Sequence, residues 1–416
     1  MGLRSLNNPA SEFDDRFANT GTDAVAGPPK AGMAASGGNV TRTYTDSGVK
    51  YRAHIFTASG SLVVTDTGGY GAGIEYLVVA GGGGGGGTGG GGGGAGGVRT
   101  AVPGVTTADP TVPLTGNPFV AEVTPPTAGY TVTIGPGGPG SPGGGDAGGD
   151  GTDSYFGPVP GSGGPSDFPT GVTATGGGGG GGGPGYTNPW AAGKTGGSGG
   201  AYHSAPTAGS FSPAVAGNTP PFSPIQGHNA GQSGTNAATA SGQGGGGGAG
   251  SLGGTADSFP YGEGGASVQS GDGGAGIKCL IAGPTYSIGA PGPGPEPYGW
   301  FAGGGGGGAN WSQGSFGGAG GYGNSPGKYP GGGNPGTNPT SVSPYAGGGT
   351  GGGSTGPSPT NNPGESSGGN ATAATANTGG GGGGANQSGS GPEPFEGGAG
   401  GSGIVIVRYQ INPADS

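Results

Sequence analysis

The sequence predicts an all-β protein combined with polyglycine II: a small antiparallel β base, a large inserted bundle of glycine-rich helices, and almost no α-helix. Three observations lead there. Glycine supplies 125 of 416 residues and hydrophobic residues only 28%, too little apolar material for a core of ordinary size. Strand-like runs gather near the start of the chain and at its very end, with the glycine between them. Inside the glycine runs, several side chains recur at every third position, as in Pro136, Pro139 and Pro142.

Residues 1–38 have little apolar periodicity and read as an extended N-terminal arm. Leu3, Leu6, Phe13 and Phe17 are sparse anchors suited to docking on another protein; an unstructured terminus is the other reading. From Asn39 the texture changes to alternating and β-branched runs, predicting strands at 40–44, 49–56, 61–66 and 75–80. Turns at Asp46-Ser47-Gly48 and Ser59-Gly60 suggest hairpins. Two further strands are expected at 130–134 and 404–409. The last is the most apolar piece of the chain, too good a strand to stay unpaired, so it should return to complete a base formed by 39–80 and 404–411.

Residues 81–403 then form one long insertion. Collagen is excluded, because runs of eight consecutive glycines break the every-third-residue rule. A disordered linker is the competing reading, although charged residues fall to 8% where such linkers are normally mixed with serine and charge. A polyglycine II helix has threefold symmetry and no internal hydrogen bonds, so each buried helix must bond to its neighbours, and only glycine lets backbones approach that closely. Side chains should then keep to one exposed edge by recurring every third residue. Pro136, Pro139 and Pro142 do so, as do Gln243, Ala249 and Leu252, Phe316, Ala319 and Tyr322, and Ala399 and Ser402; Ala346, Thr350 and Ser354 do not. Clear runs begin at Gly81, Gly135, Gly176, Gly196, Gly242, Gly262, Gly303, Gly314, Gly347, Gly379 and Gly397, and 331–333 would make their number even. Read as one helix, 81–97 would span roughly 53 Å at about 3.1 Å per residue.

A net charge of −10 with only 11 Lys and Arg argues against nucleic acid, since phosphate binding needs a basic surface. No apolar stretch is long enough for a membrane span, and no signal peptide is read at the start. Asn-x-Ser/Thr sites at Asn39, Asn310, Asn370 and Asn386 would matter only in a eukaryotic secretory protein. A single cysteine, Cys279, excludes an internal disulfide framework and reads as a small buried hydrophobe.

Catalytic patterns are cheap in such a background. The Gly-Gly-Ser-Gly-Gly motif at 196–200 lacks the strand and helix of a nucleophile elbow, and Lys194-Thr195 lacks the glycine that a phosphate loop needs at position 188. His54, His203 and His228 show no metal-ligand spacing. Residues 148–156 fit one copy of a calcium-binding nonapeptide, which makes Asp150 and Asp153, with Asp146, a weak calcium candidate; such rolls need tandem copies. No enzyme activity and no cofactor are read.

The chain resembles the glycine-rich tip adhesins and fibre proteins of tailed bacteriophages. The resemblance rests on Glu75-Tyr-Leu-Val-Val-Ala-Gly-Gly-Gly-Gly84, Tyr130-Thr-Val-Thr-Ile-Gly135, Ser154-Tyr-Phe-Gly157, the run at 176–183, Ala376-Asn-Thr-Gly379 and Gly400-Gly-Ser-Gly-Ile-Val-Ile-Val-Arg-Tyr409, covering roughly residues 50–410. It implies a polyglycine II sandwich whose end loops recognise a host receptor. The corresponding expectation is a virion protein, assembled in the host cytoplasm and exposed at the particle surface. Its arm would bind other virion proteins and its loops a bacterial surface glycan or outer-membrane protein, with no nucleic acid and no membrane insertion; a homotrimer is left open. A capsid or tail decoration protein and an ice-binding protein are the rival readings.

Aromatic residues stand at the joins between glycine runs. Tyr186, Trp190, Phe259, Tyr261, Trp311, Tyr345 and Phe395 are the receptor-binding candidates, because a ring on a rigid loop can stack on a sugar face or anchor a protein contact. Equally, these rings would cap bundle ends that have no other apolar cover. With alternating runs, the loops far from the base are expected at 98–134, 184–195, 255–261, 309–313, 334–346 and 385–396.

Overall fold

In the computed structural model, the closing apolar segment lies in the middle of a sheet. The structure describes residues 31–69, 73–103, 105–107, 121–122, 129–158, 171–183, 191–203, 211–235, 241–256, 270–291, 298–308, 346–352, 370–386 and 395–413. Numbered in chain order, the central sheet runs β2 (Val40–Asp46), β3 (Val49–Phe56), β16 (Ile404–Gln410), β5 (Gly73–Val79), β6 (Val98–Thr100), and β8 (Ala121–Glu122) also pairs with β5. A second sheet runs β1 (Ala34–Ser36), β4 (Gly60–Asp66), β9 (Tyr130–Thr133), β10 (Ser154–Pro158), β11 (Val172–Ala174). A third, small one joins β15 (Trp300–Phe301), β14 (Ile277–Lys278) and β7 (Thr106–Thr107), and β12 (Gly234–Thr235) pairs with β13 (Ser241–Gly242). The described residues contain no α-helix.

The middle strands β16 and β5 of the central sheet are apolar on both faces because both are covered. Alternate residues of β16 go opposite ways: Val405, Val407 and Tyr409 join Phe56, Tyr76, Leu62, Tyr130 and Phe156 in the core shared with the second sheet. Ile404 and Ile406 join Ile55, Leu77, Val79, Ile277, Ile281 and Phe301 on the other side. This explains why β16 reads as a continuous apolar run, since a strand covered on one face only would alternate. Each large side chain fully withdrawn from water contributes about 1.5–3 kcal/mol, so the two cores anchor the fold. One charge is buried with them. Arg408 donates to Glu75 at 2.5 Å and to the Tyr44 hydroxyl at 2.9 Å, lies 4.4 Å from the Tyr51 ring centre, and approaches Asp46 at 3.5 Å.

Outside the sheets, the glycine segments bond only sideways. Along 81–87 the N–H partner changes with every residue and repeats every third. Gly81, Gly84 and Gly87 donate to Thr152, Gly149 and Asp146; Gly82, Gly85 and Thr88 to Gly401, Gly398 and Phe395; Gly83 and Gly86 to Gly94 and Gly91. Its carbonyls accept from three other segments: 177–183, 138–141 and 382–385. Six backbones thus surround this one, and every polar group finds a partner without a side chain. A side chain there would collide: a Cβ on Gly85 would stand 1.9 Å from the Gly383 carbonyl oxygen.

The base is larger than the sequence suggests. Strands β6, β7, β9, β10, β11, β14 and β15 come from within 81–403, and Ala34–Ser36, read as part of the arm, pairs with β4. Most of these strands are too short for alternation to be legible, since glycine begins again within a few residues. The segment 81–97 is also two elements. Thr88 (φ 32°) and Gly89 (φ 67°) reverse the chain, and Gly83 and Gly86 donate to Gly94 and Gly91 in an antiparallel hairpin. The run count falls short for the same reason, and because glycine-poor stretches such as 212–218 and 370–377 take part along the outside. The every-third-residue rule holds for Pro136, Pro139 and Pro142, all exposed, and Ala399 is exposed with Ser402 partly so. It fails for Gln243 and Ala249, both buried, while Leu252 is exposed; the segment is interior and Ala249 fills the second core. Phe316, Ala319 and Tyr322 lie outside the described residues.

Candidate functional site

The glycine segments have two ends, and the hairpin at Thr88 shows which connection belongs to which. The chain leaves the central sheet after Val79, reverses at Thr88, and returns to the same sheet as β6. The described parts of 98–134, expected far from the base, are therefore at the sheet end as β6, β7, β8 and β9; the unrecognised reversal displaced their assignment by one crossing. Ala346, the one described residue of the loop expected at 334–346, is also at the sheet end, where its N–H donates to Pro291 and it sits against Gly276 beside β14; 334–345 lie outside the described residues.

At the opposite end, described residues gather around the Thr88 turn. Asp146 accepts from Gly87, Phe395 from Thr88, Ala385 from Gly90 and Gly87 from Gly183, while Gly308 donates to Gly90. The residues flanking 184–190, 204–210 and 387–394 thus converge there, as does Gly308. Of the aromatic candidates, Phe395 alone is described. It is partly buried, and its carbonyl accepts the Thr88 N–H at 3.3 Å. Tyr186, Trp190, Phe259, Tyr261, Trp311 and Tyr345 lie outside the described residues, as do Leu3, Leu6, Phe13 and Phe17.

One aromatic at this end escaped the sequence reading. Phe211 is 47% exposed, its backbone bridges Gly234, and its ring lies over that glycine, where a Cβ would come 3.0 Å from the ring edge. It meets the criterion of an aromatic between glycine segments, but its own segment, 212–218, is poor in glycine and did not read as one.

The same end holds a layer of buried polar side chains that end the backbone lattice. Ser270 donates to the Gly308 carbonyl and accepts from Gln243 N–H; Ser233 donates to the Tyr202 carbonyl and accepts from Gly244 N–H. Where a segment stops, the next backbone is missing and a hydroxyl takes its place. His203 is buried against Gly183, and burial pulls its pKa down to about 4, leaving it neutral.

The aspartates singled out for calcium serve the lattice too. Asp150 accepts the Gly179 N–H at 2.9 Å and Asp153 the Gly176 N–H at 2.8 Å, so their oxygens act as surrogate backbone carbonyls. Asp146 contributes its main-chain carbonyl. Among the described residues, no group of three or more His, Cys, Asp or Glu is placed to hold a metal ion. Ser198, at the centre of the elbow-like motif, is fully buried, and its carbonyl accepts from Gly178. Cys279 is buried and its thiol is pushed up to about 12, which makes it unreactive. At the sheet end, His54 bonds the Gly37 carbonyl at 2.7 Å and the Tyr409 hydroxyl at 3.0 Å, and Arg99 stacks 4.4 Å from the Phe222 ring centre. These contacts tie loops to the sheet. No protein-family model and no curated protein matches the chain.

Proposed function

We propose that this chain is a bacteriophage virion fibre or adhesin protein, in which a polyglycine II bundle holds connecting loops toward a bacterial surface. The observation that carries the reading is the molecule's polarity. The first described residues, 31–36, and the last, through Pro413, both belong to the sheet end, whereas the chain reversals around Thr88 belong to the other. An arm formed by the preceding residues would attach to other virion proteins at one end, leaving the opposite end free to meet a surface glycan or outer-membrane protein.

Polyglycine II accounts for the segments between, because its threefold symmetry gives each residue a different neighbour and repeats after three. Such a scaffold is ordered before contact. Loops mounted on it lose little freedom on binding, so many weak contacts can add up to attachment.

The test replaces 184–190, 257–269 and 387–394 with short Gly-Ser links while leaving the glycine segments intact. Adsorption of particles carrying this variant is expected to fall at least tenfold, with the melting transition of the purified chain retained. Undiminished adsorption by a folded variant would overturn the reading.

A further inference from the structure

We infer that one flank of the glycine bundle is built to stop the hydrogen-bond lattice, and that it keeps two copies of this chain from adding side by side. The interior segment 81–87 is surrounded by six backbones, whereas among the described residues 135–142 is bonded to three: 82–85, 149–152 and 397–403. The remaining side of 135–142 faces solvent. A bare glycine helix there would present donors and acceptors in the same threefold arrangement that its own neighbours use, a template for any further glycine helix. The nearest source of one is a second copy. An open β-sheet edge poses the same problem, and natural sheets answer it with proline and charge.

This flank carries both answers with a period of three. Pro136, Pro139 and Pro142 occupy the solvent-facing positions, while Gly135, Gly138 and Ser141 between them are buried. Proline has no N–H, so the exposed row lacks its donors, yet the carbonyls of Pro136 and Pro139 still accept inward from Thr152 and Gly149. The rings also stand on either side of Gly137 and Gly140, which are half exposed, and bar a second backbone from reaching them. On the adjoining segments, Asp150 and Asp153 take up the Gly179 and Gly176 N–H groups, so those donors are spent before any neighbour arrives. Lys194, donating to the Gly148 carbonyl at 3.2 Å, does the same for an acceptor. Donors are thus absent from the proline row, screened at Gly137 and Gly140 beside it, and consumed on the adjoining segment.

The experiment compares the full chain with two triple variants, Pro136→Gly/Pro139→Gly/Pro142→Gly and Pro136→Ala/Pro139→Ala/Pro142→Ala, by sedimentation velocity across a wide concentration range. The glycine triple restores the donors and clears the surface, and is expected to associate with increasing concentration to at least twice the parent's mass. The alanine triple restores the donors but keeps a Cβ, which at lattice positions such as Gly84 would stand 2.0 Å from a neighbouring carbonyl oxygen. It is expected to sediment as the parent does. A folded glycine triple that sediments like the parent overturns the inference, as does an alanine triple that associates equally. If the glycine triple does not fold, Pro139→Gly alone is read the same way; failure of that variant to fold also overturns it, because proline would then act by stiffening the segment.

Discussion

Arg408 shows how a single residue ties the two chemistries of the molecule together. Burial works against its charge, but the Tyr44 hydroxyl and the Glu75 carboxylate outweigh it and hold the guanidinium charged. The Tyr44 hydroxyl donates in turn to the Ile281 carbonyl at 2.6 Å, joining the central sheet to the loop before β15. Removing one partner of a buried pair leaves an uncompensated charge, so Glu75→Gln is expected to cost about 3 kcal/mol in urea unfolding. His203 makes the stability depend on pH. Its folded pKa of about 4 lies below the ordinary 6.5, so the unfolded chain takes up a proton first as pH falls. Its contribution is complete above pH 6.5 and is lost progressively down to about pH 4. His54, whose pKa burial also lowers, acts in the same direction. Urea midpoints at pH 7 and pH 4.5 should therefore differ less in His203→Gln than in the parent. None of these partnerships was legible beforehand: Glu75 and Arg408 stand 333 positions apart, and an isolated charge in an apolar strand does not name its partner.

Among the elements, the long strands were legible and the chain reversals were not. Alternation and β-branching located β2, β3, β4, β5, β9 and β16 to within a few residues, because these strands have side chains to pattern. A glycine backbone offers no such pattern, so nothing distinguished Thr88 as a turn except its being the one non-glycine from 81 to 94. The same absence of side chains makes interior glycines irreplaceable. Gly85→Ala would drive a Cβ to 1.9 Å from the Gly383 carbonyl oxygen, and the rigid neighbours cannot withdraw. Loss of the cooperative melt is expected, or a cost above about 4 kcal/mol. Pro139→Ala, on the exposed flank, is expected to change stability by under about 1 kcal/mol. Equal melting temperatures for these two variants would contradict the lattice described for 81–87.

For the whole molecule, order should increase from the ends toward the middle of the glycine region, the reverse of what its composition suggests. Amides of 83–86 and 91–95 donate to other interior backbones, so their hydrogen exchange should require global unfolding and match the slowest amides of β16. Fast exchange there would mean that the lattice opens locally. The candidate receptor residues were legible only as a class, aromatics beside glycine segments. Phe395 does lie at the end away from the sheets, and Phe211 joins it, while Ala346 lies at the sheet end. Those assignments turned on the number of crossings, to which each hidden reversal adds one.

By itself, the sequence determined that the glycine runs could not build an apolar core, that the strands flanking 81–403 belong to one base, and that Pro136, Pro139 and Pro142 share an edge. Those conclusions rest on side chains, whose spacing and polarity are written in the chain. Only the tertiary structure decided where the glycine turns back, which six backbones enclose 81–87, and which segment ends meet around Thr88. The physical reason is that every glycine offers the same donor and acceptor, so the choice among identical partners falls to turns, to sheet registers and to the few side chains that end the lattice.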